Sequence, residues 1–389
     1  GLNQSMRKRI CHVITGLPRA GAQRVLVDLL AHRDPSLDVE VVSLLPRDAM
    51  AADVEAEGVP VWSAELDRSP RLPARLGALA AHFRRARPSV VHTWMYHADV
   101  IGGLAAKVVR PSTPVVWHLH HGTQDFAQLR PSTRALVGAG ARLSSRLPAR
   151  IIACAESTRR LHVERGYDPA KMQVIRNGVD VERFRPRADA PRTLLPALGV
   201  PRDAPAIGIA ARFHPHKDHG TFLAAAQRLA ARRPDVHFVL CGAGVEPTNP
   251  AFAAVARSAR FHLLGERNDL DRLLPELDVS SLSSTVEACS LVLLESMAAG
   301  VPCVATDVGD SAHLVADTGR VVPPRDPDAL AAAWDVVLSL DGGTRRALGR
   351  AARARAERNF ALPAVARAIE RVYDEVLPPP RSLTPPRSP

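Results

Sequence analysis

Short apolar runs alternate with helix-length stretches along almost the whole chain, and this alternation restricts the fold more than any other sequence feature. Strands are predicted at residues 9–15, 39–45, 89–93, 114–120, 150–154, 172–175, 206–211, 236–242, 260–264, 279–282 and 302–306. Helices are predicted between the strands of the first half at residues 20–32, 72–86, 98–108, 132–147 and 157–165. Strands separated by helices indicate βαβ units, so the sequence predicts an α/β fold with parallel sheets.

The alternation is interrupted between residues 185 and 205, where the segment RPRADAPRTLLPALGVPRDAP contains five prolines and no strong period. A length of 389 residues suits two domains, and the interruption predicts the link between them. Two consecutive α/β units of this kind predict two doubly wound, Rossmann-like domains, which bind ligands at the carboxyl ends of their strands. The proline-rich segment from Leu377 onwards predicts a disordered or polyproline II tail.

The positive charge of the chain is concentrated in its first half. The net charge is +11, with 28 basic and 18 acidic residues at positions 1–190 against 23 and 22 at positions 191–389. A basic half indicates nucleic acid, an anionic membrane surface or a phosphorylated ligand as partner. A base bias of the genome would explain the arginine excess, although not its uneven distribution. The segments 71–87 and 130–150 lack acidic residues, which predicts either a surface that docks on anionic lipid or ordinary solvated helix faces.

Cysteine usage and hydropathy indicate the compartment. The five cysteines are scattered and form no C-x-x-C pair, which is typical of buried thiols in a reducing compartment. No apolar run approaches the roughly 20 residues that a transmembrane helix needs. The sequence therefore predicts a cytoplasmic protein.

Two segments combine the end of a predicted strand with a helix start that suits an anion. The first is TGLPRAGA at residues 15–22, where small residues let backbone amides approach a phosphate. The second is ARFHPHKD at residues 211–218, where Arg212 and Lys217 share one loop and together suit a diphosphate. The DxD patterns at 269–271 and 326–328 are interpreted as acids at helix starts, so no metal ligands are predicted.

A third segment, SSTVEACSLVLLESMAAG at residues 283–300, carries the strongest signal. Glu287 lies in the loop after a predicted strand, and Glu295 falls eight residues later within an otherwise apolar helix. A carboxylate in an apolar helix is costly unless it is paired or bound to a ligand. An acidic pair near a helix N-terminus can bind sugar hydroxyls while the free amides of the helix bind a phosphate.

These segments resemble the retaining glycosyltransferases of family 4, of the bacterial exopolysaccharide and lipopolysaccharide type, which have the GT-B fold. The resemblance rests on Glu287-x7-Glu295 followed by SMAAGVPCVATDVGD, on RNGVD at 176–180, on Arg212 with Lys217, and on the Gly21 turn. It implies two Rossmann-like domains that face a cleft, with a C-terminal helix crossing back to the first. The implied boundaries are 6–185 for acceptor binding, 186–358 for nucleotide-sugar binding, 359–377 for the returning helix and 378–389 for a disordered tail.

The resemblance also implies a role for each donor-binding residue. Arg212 and Lys217 would neutralise the donor diphosphate, and the Gly21 turn would pack beside it. Glu287 would bind hydroxyls of the donor sugar, and Glu295 would bind the ribose hydroxyls. The phosphates would meet the backbone amides of Ser290, Leu291 and Val292.

A histidine is implied at the anomeric centre, where the strand predicted at 114–120 ends. His120 matches this position, with His118 and His121 as competitors. The chain departs from the usual family pattern in three places, which affects the donor sugar more than the chemistry. Ala288 and Cys289 replace a glycine and an aromatic residue, GDSAH at 309–313 replaces G-G-x-x-E, and AGAQ at 20–23 replaces G-G-A-E.

The predicted activity is the transfer of a hexosyl or N-acetylhexosaminyl group from a nucleotide-diphosphate sugar to a glycan or lipid-linked hydroxyl. Retention of configuration, no cofactor, no metal and no nucleic-acid partner are expected. One alternative is another nucleotide-sugar enzyme on the same scaffold, such as an epimerase or a phosphorylase. The other is a non-catalytic polyanion-binding protein, which would have no use for a carboxylate such as Glu295 in an apolar helix.

Overall fold

Two parallel β-sheets form the framework of the computed structural model, which describes residues 7–122, 129–187 and 190–378. The first sheet contains β1 (Arg9–Ile14), β2 (Asp38–Ser43), β3 (Val61–Ser63), β4 (Val90–Trp94), β5 (Val115–Leu119), β6 (Arg150–Ala153) and β7 (Met172–Val174). The second contains β8 (Ala206–Ala210), β9 (His237–Cys241), β10 (Phe261–Leu263), β11 (Val279–Leu282), β12 (Cys303–Thr306) and β13 (Gly319–Val322). The paired strands of both sheets run parallel.

Helices connect the strands of both sheets. Those of the first half are α1 (Gly21–Ala31), α2 (Ala51–Ala56), α3 (Leu72–Ala86), α4 (Met95–His97), α5 (Gly103–Val109), α6 (Pro131–Leu143) and α7 (Glu156–Glu164). Those of the second half are α8 (Leu194–Ala197), α9 (His219–Arg232), α10 (Leu270–Leu273), α11 (Leu291–Ala298), α12 (Ser311–Val315), α13 (Pro327–Ser339), α14 (Gly342–Asn359) and α15 (Leu362–Val376).

Strand order places a topological switch point in each sheet. The first sheet has the order β3-β2-β1-β4-β5-β6-β7, and the second has the order β10-β9-β8-β11-β12-β13. In each case the chain moves outward from the first strand and then returns to its other side. Ligands of doubly wound folds bind in the crevice beyond the carboxyl ends of the strands at such a point. The loops after β1 and β4, and after β8 and β11, are therefore the ones placed to form a site.

All the strands predicted from apolar runs are present. Most of them differ from the predicted range by a single residue at one end or at both ends. Their runs are apolar because helices cover both faces of each sheet. Two strands were not predicted, β3 and β13, and both are sheet edges with a single neighbouring strand. The helix predicted at 132–147 ends earlier, at Leu143, and the next residue, Ser144, donates its hydroxyl to the carbonyl of Ala141. The helix predicted at 98–108 begins as a π-helical turn, Ala98–Gly102.

The C-terminal helix α15 packs against the first sheet, as the resemblance implies. The chain crosses back where the amide of Val179 donates to Phe360 and the amide of Leu362 donates to Val179. From there α15 buries an apolar stripe that includes Ile369 and Val372 in the same cluster as the strand residues of β1, β2 and β4. The two domains are thus held together covalently at the link and again by α15. The residue limits 6–185, 186–358 and 359–377 stay predictions, and residues 379–389 of the predicted tail lie outside the described part of the chain.

A helix that crosses a bilayer needs about 20 consecutive, mostly apolar residues. Within the described residues, no helix is both long and apolar enough to cross a membrane.

Ile369 tests the contribution of α15 to the first domain. Its side chain is buried in the cluster that α15 shares with the first sheet. We expect Ile369→Ala to lower the free energy of unfolding by about 2–4 kcal/mol, because the truncation leaves a cavity in a packed core. Urea denaturation followed by tryptophan fluorescence measures this change. Arg371→Ala on the exposed face of the same helix is the control and should change stability by less than about 0.5 kcal/mol. Equal effects of the two substitutions would contradict this packing.

Candidate functional site

A cleft of about 320 Å³ lies between the two domains at the carboxyl ends of their strands. The first domain contributes Gly21, Arg24 and His120 to its lining. The second contributes Lys217, Glu287, Glu295 and the first turn of α11 with its cap, Ser290, Leu291 and Val292. The cleft therefore brings together nearly all the predicted site residues. A groove of about 860 Å³ lies elsewhere, around Arg7 and Arg371, and none of the predicted residues line it.

Lys217 and Glu287 form an ion pair inside the cleft. Lys217 ends a short 3₁₀ turn after β8, and Glu287 lies in the loop after β11. Lys217 Nζ is 2.5 Å from Glu287 Oε1, which also accepts a hydrogen bond of 2.7 Å from Ser284. The two loops are joined as well, because Ser283 donates its hydroxyl to the carbonyl of Lys217. A donor would therefore meet a cation and a carboxylate that already neutralise each other.

Glu295 is paired across the domain boundary with Arg24. Arg24 Nη2 lies 2.5 Å from Glu295 Oε1, and Glu295 is only 3% exposed. Burial raises the pKa of Glu295 from its ordinary value of 4.5 to about 7, although the nearby Arg24 acts in the opposite direction. Arg24 is absent from the predicted site residues. Its position one helical turn after Gly21, at the start of α1, is the signal that would have pointed to it.

The N-terminus of α11 is open toward the cleft. The hydroxyl of Ser290 accepts a hydrogen bond of 3.3 Å from the amide of Leu293 and so caps the helix. The preceding amides, of Leu291 and Val292, have no acceptor within the helix. These two donors line the same cleft as Glu287 and Glu295, and the helix dipole makes such an end favourable for an anion.

Of the three competing histidines, His120 is the one among the described residues that lines the cleft. Its ring stacks on Trp94 at 5.1 Å, and its Nε2 is buried without a hydrogen-bond partner. Burial lowers the pKa of His120 to about 3, so the imidazole is neutral. His118 is buried behind it, with Nδ1 at 3.2 Å from Nε2 of His92. His121 stacks on the ring of Tyr96 at 4.0 Å.

Two predicted residues have more open surroundings. Arg212 follows Ala211, which lines the cleft, but the side chain of Arg212 is exposed and does not line it. Gly21 begins α1, and a Cβ atom at this position would meet nothing within 4 Å. The backbone therefore does not require glycine there, and Gly21 leaves open space beside the helix start.

The loop of Glu287 is packed tightly between the two domains. A Cβ atom on Gly122 of the first domain would lie 2.6 Å from the carbonyl oxygen of Glu287. One on Gly309 of the second domain would lie 2.5 Å from the same oxygen. Asn177, in the RNGVD segment, donates its amide to the carbonyl of Cys289 over 3.0 Å. Both glycines are therefore needed for close backbone approach, and the interface fixes the position of this loop.

The acidic DxD positions have structural partners. Asp326 accepts a hydrogen bond from the amide of Ala329 and caps α13, and Asp328 pairs with Arg228. Asp269 precedes α10 and pairs with Arg267 at 2.7 Å. Asp326 and Asp269 thus stand at helix starts, as the sequence predicts.

Two protein families match successive parts of the chain. The family described as "Glycosyltransferase Family 4" matches residues 19–183, and "Glycosyl transferases group 1" matches residues 204–339. Alpha-maltose-1-phosphate synthase of Mycobacterium tuberculosis is 31% identical over 376 residues, which are 87% of this chain and 94% of that enzyme. UDP-Gal:alpha-D-GlcNAc-diphosphoundecaprenol alpha-1,3-galactosyltransferase of Escherichia coli is 27% identical over 60% of this chain and 61% of its own length.

Solved structures share the fold. HepE of Anabaena in complex with UDP and glucose superposes with a TM-score of 0.81 at 21% identity, over 95% of this chain and all of that one. Sucrose-phosphate synthase of Thermosynechococcus elongatus superposes with a TM-score of 0.77 at 21% identity, over 95% of this chain and 99% of that one. Two parallel-sheet domains facing a cleft are thus the architecture of the GT-B glycosyltransferases.

The raised pKa of Glu295 predicts how this residue changes stability with pH. Glu295 binds its proton more tightly in the folded protein than in the unfolded chain. Protonation of Glu295 therefore stabilises the fold fully below pH 4.5, and this stabilisation is lost as the pH rises through about 7. The melting temperature of Glu295→Gln should therefore rise relative to that of the wild type between about pH 5 and about pH 8. The exposed control Glu266→Gln should show a constant difference. Parallel curves for the wild type and Glu295→Gln would contradict the prediction.

Proposed function

The chain belongs to the family 4 glycosyltransferases of the GT-B fold, and from that membership we propose its specific reaction. It transfers a hexosyl or N-acetylhexosaminyl group from a nucleotide-diphosphate sugar to a hydroxyl of a glycan or lipid-linked acceptor, with retention of configuration and without a metal. The observation that carries the proposal is the cleft, where Lys217, Glu287, Glu295 and the free end of α11 face His120.

The donor diphosphate is proposed to bind at the start of α11. The amides of Leu291 and Val292 donate to phosphate oxygens. The ammonium group of Lys217 leaves its ion pair with Glu287 and pairs with a phosphate oxygen instead. Arg212 is exposed on the same loop as Lys217, and it adds a second cation when a diphosphate draws it inward. Two cations and a helix end supply the positive potential that a metal ion supplies elsewhere.

The sugar and the nucleoside occupy opposite ends of this anion site. Glu287 accepts hydrogen bonds from hydroxyls of the donor sugar, and Glu295 accepts them from the ribose. The neutral ring of His120 supports a hydrogen-bonding role near the anomeric carbon, because burial lowers its pKa to about 3 and leaves it without an imidazolium proton to transfer near neutral pH. Retention then follows a front-face path in which the leaving diphosphate oxygen takes the proton of the acceptor hydroxyl. Positioning and charge stabilisation supply the catalysis, since no side-chain nucleophile takes part.

The acceptor is proposed to reach the first domain from an anionic membrane surface on the cytoplasmic side. Helices α3, α5 and α6 pack on one face of the first sheet, through a shared cluster that includes Phe83 and Val137. Residues 68–155 contain 13 basic side chains. Among the described residues of this range, Asp99 is the one acidic residue, and its side chain is buried. Leu104 and Val108 are exposed on α5, Val108 by 80%. Basic side chains around exposed apolar residues suit anionic lipid. The undecaprenol-linked substrate named for the Escherichia coli relative supports this choice.

Lys217 tests the donor site. We expect Lys217→Ala to lower kcat/KM for transfer by about 100-fold or more, because a charge opposite the leaving diphosphate is lost. A panel of nucleotide sugars is first screened by thermal shift, and release of the nucleoside diphosphate from the best donor is then followed. Arg228→Ala, an exposed cation of the same domain, is the control and should stay within about twofold. Turnover of Lys217→Ala near that of the wild type would contradict the site assignment. Formation of an epimerised donor or of a sugar 1-phosphate would favour an epimerase or a phosphorylase instead.

The proposed lipid-binding face of the first domain, formed by α3, α5 and α6, is tested with vesicles of phosphatidylcholine, with and without phosphatidylglycerol. Co-sedimentation should require phosphatidylglycerol and weaken with salt, because the attraction is electrostatic. Val108→Asp should reduce binding by about tenfold, since it places a like charge against the anionic lipid. Val336→Asp, at an exposed apolar position of the second domain, is the matched control and should bind as the wild type does. Equal binding to both kinds of vesicle would contradict the proposal.

A further inference from the structure

Asp310 binds a helix that belongs to the opposite domain. It lies in the second domain between β12 and α12, and it is 4% exposed. Its Oδ2 accepts from the amide of Glu156 at 2.9 Å and from Nε of Arg176 at 2.7 Å. Its Oδ1 accepts from the amide of Ser157 at 3.0 Å. All three donors belong to the first domain, so one carboxylate carries three hydrogen bonds across the interface.

Helix α7 has no cap of its own. The residue at its N-cap position is Ala155, which has no side-chain acceptor. The first amides of a helix lack partners within it, and an acidic side chain is among the best acceptors for them. Burial raises the pKa of Asp310, but the amides of Ser157 and Glu156 and the Arg176 guanidinium together outweigh burial and lower it. The carboxylate is therefore ionised and acts as the missing cap.

The same residue is attached to the donor side of the cleft. The amide of Asp310 donates to the carbonyl of Ala288 over 2.9 Å. Gly309, just before it, has a φ of +56° and contacts the carbonyl of Glu287 so closely that a Cβ atom would overlap it. A shift of Asp310 would therefore move the loop that holds Glu287.

Helix α7 is attached in turn to the acceptor side. Thr158, in its first turn, donates its hydroxyl to the carbonyl of His121 over 2.9 Å. His121 directly follows His120, whose ring lines the cleft. The first turn of α7 thus connects the carboxylate of Asp310 to the segment that carries His120.

We propose that Asp310 is a positioning residue that sets the separation of His120 and Glu287 by joining the first turn of α7 to the loop after β11. The proposal rests on the proposed function, because it assigns these two residues to the reacting sugar. The three hydrogen bonds of this carboxylate cross the interface, so the spacing of the two domains over the donor depends on the side chain of Asp310.

The test compares Asp310→Ala with Asp326→Ala, which removes the cap of α13 within the second domain. Asp310→Ala should lower kcat for UDP release from the best UDP-sugar by at least tenfold, while its affinity for UDP stays within twofold. Its radius of gyration in solution scattering should increase, and amide exchange in residues 156–160 should accelerate. Asp326→Ala should keep the wild-type kcat, radius and exchange in that segment. Asp310→Asn, which keeps one acceptor oxygen, should recover part of the lost kcat.

The outcomes separate this proposal from the proposed function. If the wild type turns over no nucleotide sugar, the proposed function fails. Amide exchange in residues 156–160 and the radius of gyration still test whether Asp310 holds the first turn of α7 against the second domain. Wild-type kcat, radius and exchange in a folded Asp310→Ala protein would overturn the inference. An equal fall in kcat for Asp326→Ala would also overturn it, because the effect would then report lost stability and not domain spacing.

Discussion

Two carboxylates in the cleft, Glu287 and Glu295, need cations close to them, and this requirement shapes the rest of the site. A carboxylate that loses water without gaining a partner is protonated or destabilises the fold. Lys217 supplies the first cation from the loop after β8, and Arg24 supplies the second from one turn into α1. The pair of Lys217 and Glu287 lies within the second domain, whereas the pair of Arg24 and Glu295 crosses to the first. The Arg24–Glu295 pair and the arrangement of the two domains therefore depend on each other.

The same pairs determine what binding a donor involves. Each carboxylate is paired with a cation of the protein. In the proposed reaction, the diphosphate takes over the cation of Lys217, and sugar hydroxyls take over the acceptor oxygens of Glu287. Binding is thus an exchange of partners and requires little net positive charge at the site. The basic excess of the chain lies elsewhere, on the face of the first sheet covered by α3, α5 and α6, where it suits a partner with extended negative charge.

Site geometry is a property of the interface between the domains as much as of either domain alone. The loop of Glu287 is confined by Gly122 from one side and Gly309 from the other. Asn177 and Asp310 add hydrogen bonds across the same boundary, and α15 returns to pack against the first sheet. A reaction that depends on positioning gains from such an interface, because displacements of about 1 Å in the reacting groups change rates strongly.

The sequence by itself determined the strands, the two-domain organisation and the chemically marked residues. Most strands appear as apolar runs, whereas β3 contains only two apolar residues and β13 begins with Gly319 and Arg320, so neither leaves such a pattern. Glu295 stands out because a charge interrupts an apolar helix, and Lys217 because the chain has only four lysines. Only the tertiary structure decided which histidine lines the cleft, that Arg24 pairs with Glu295 there, and that Asp310 binds the opposite domain. Their partners lie more than 130 residues away in the chain, and local sequence carries no record of a contact formed when distant segments pack together.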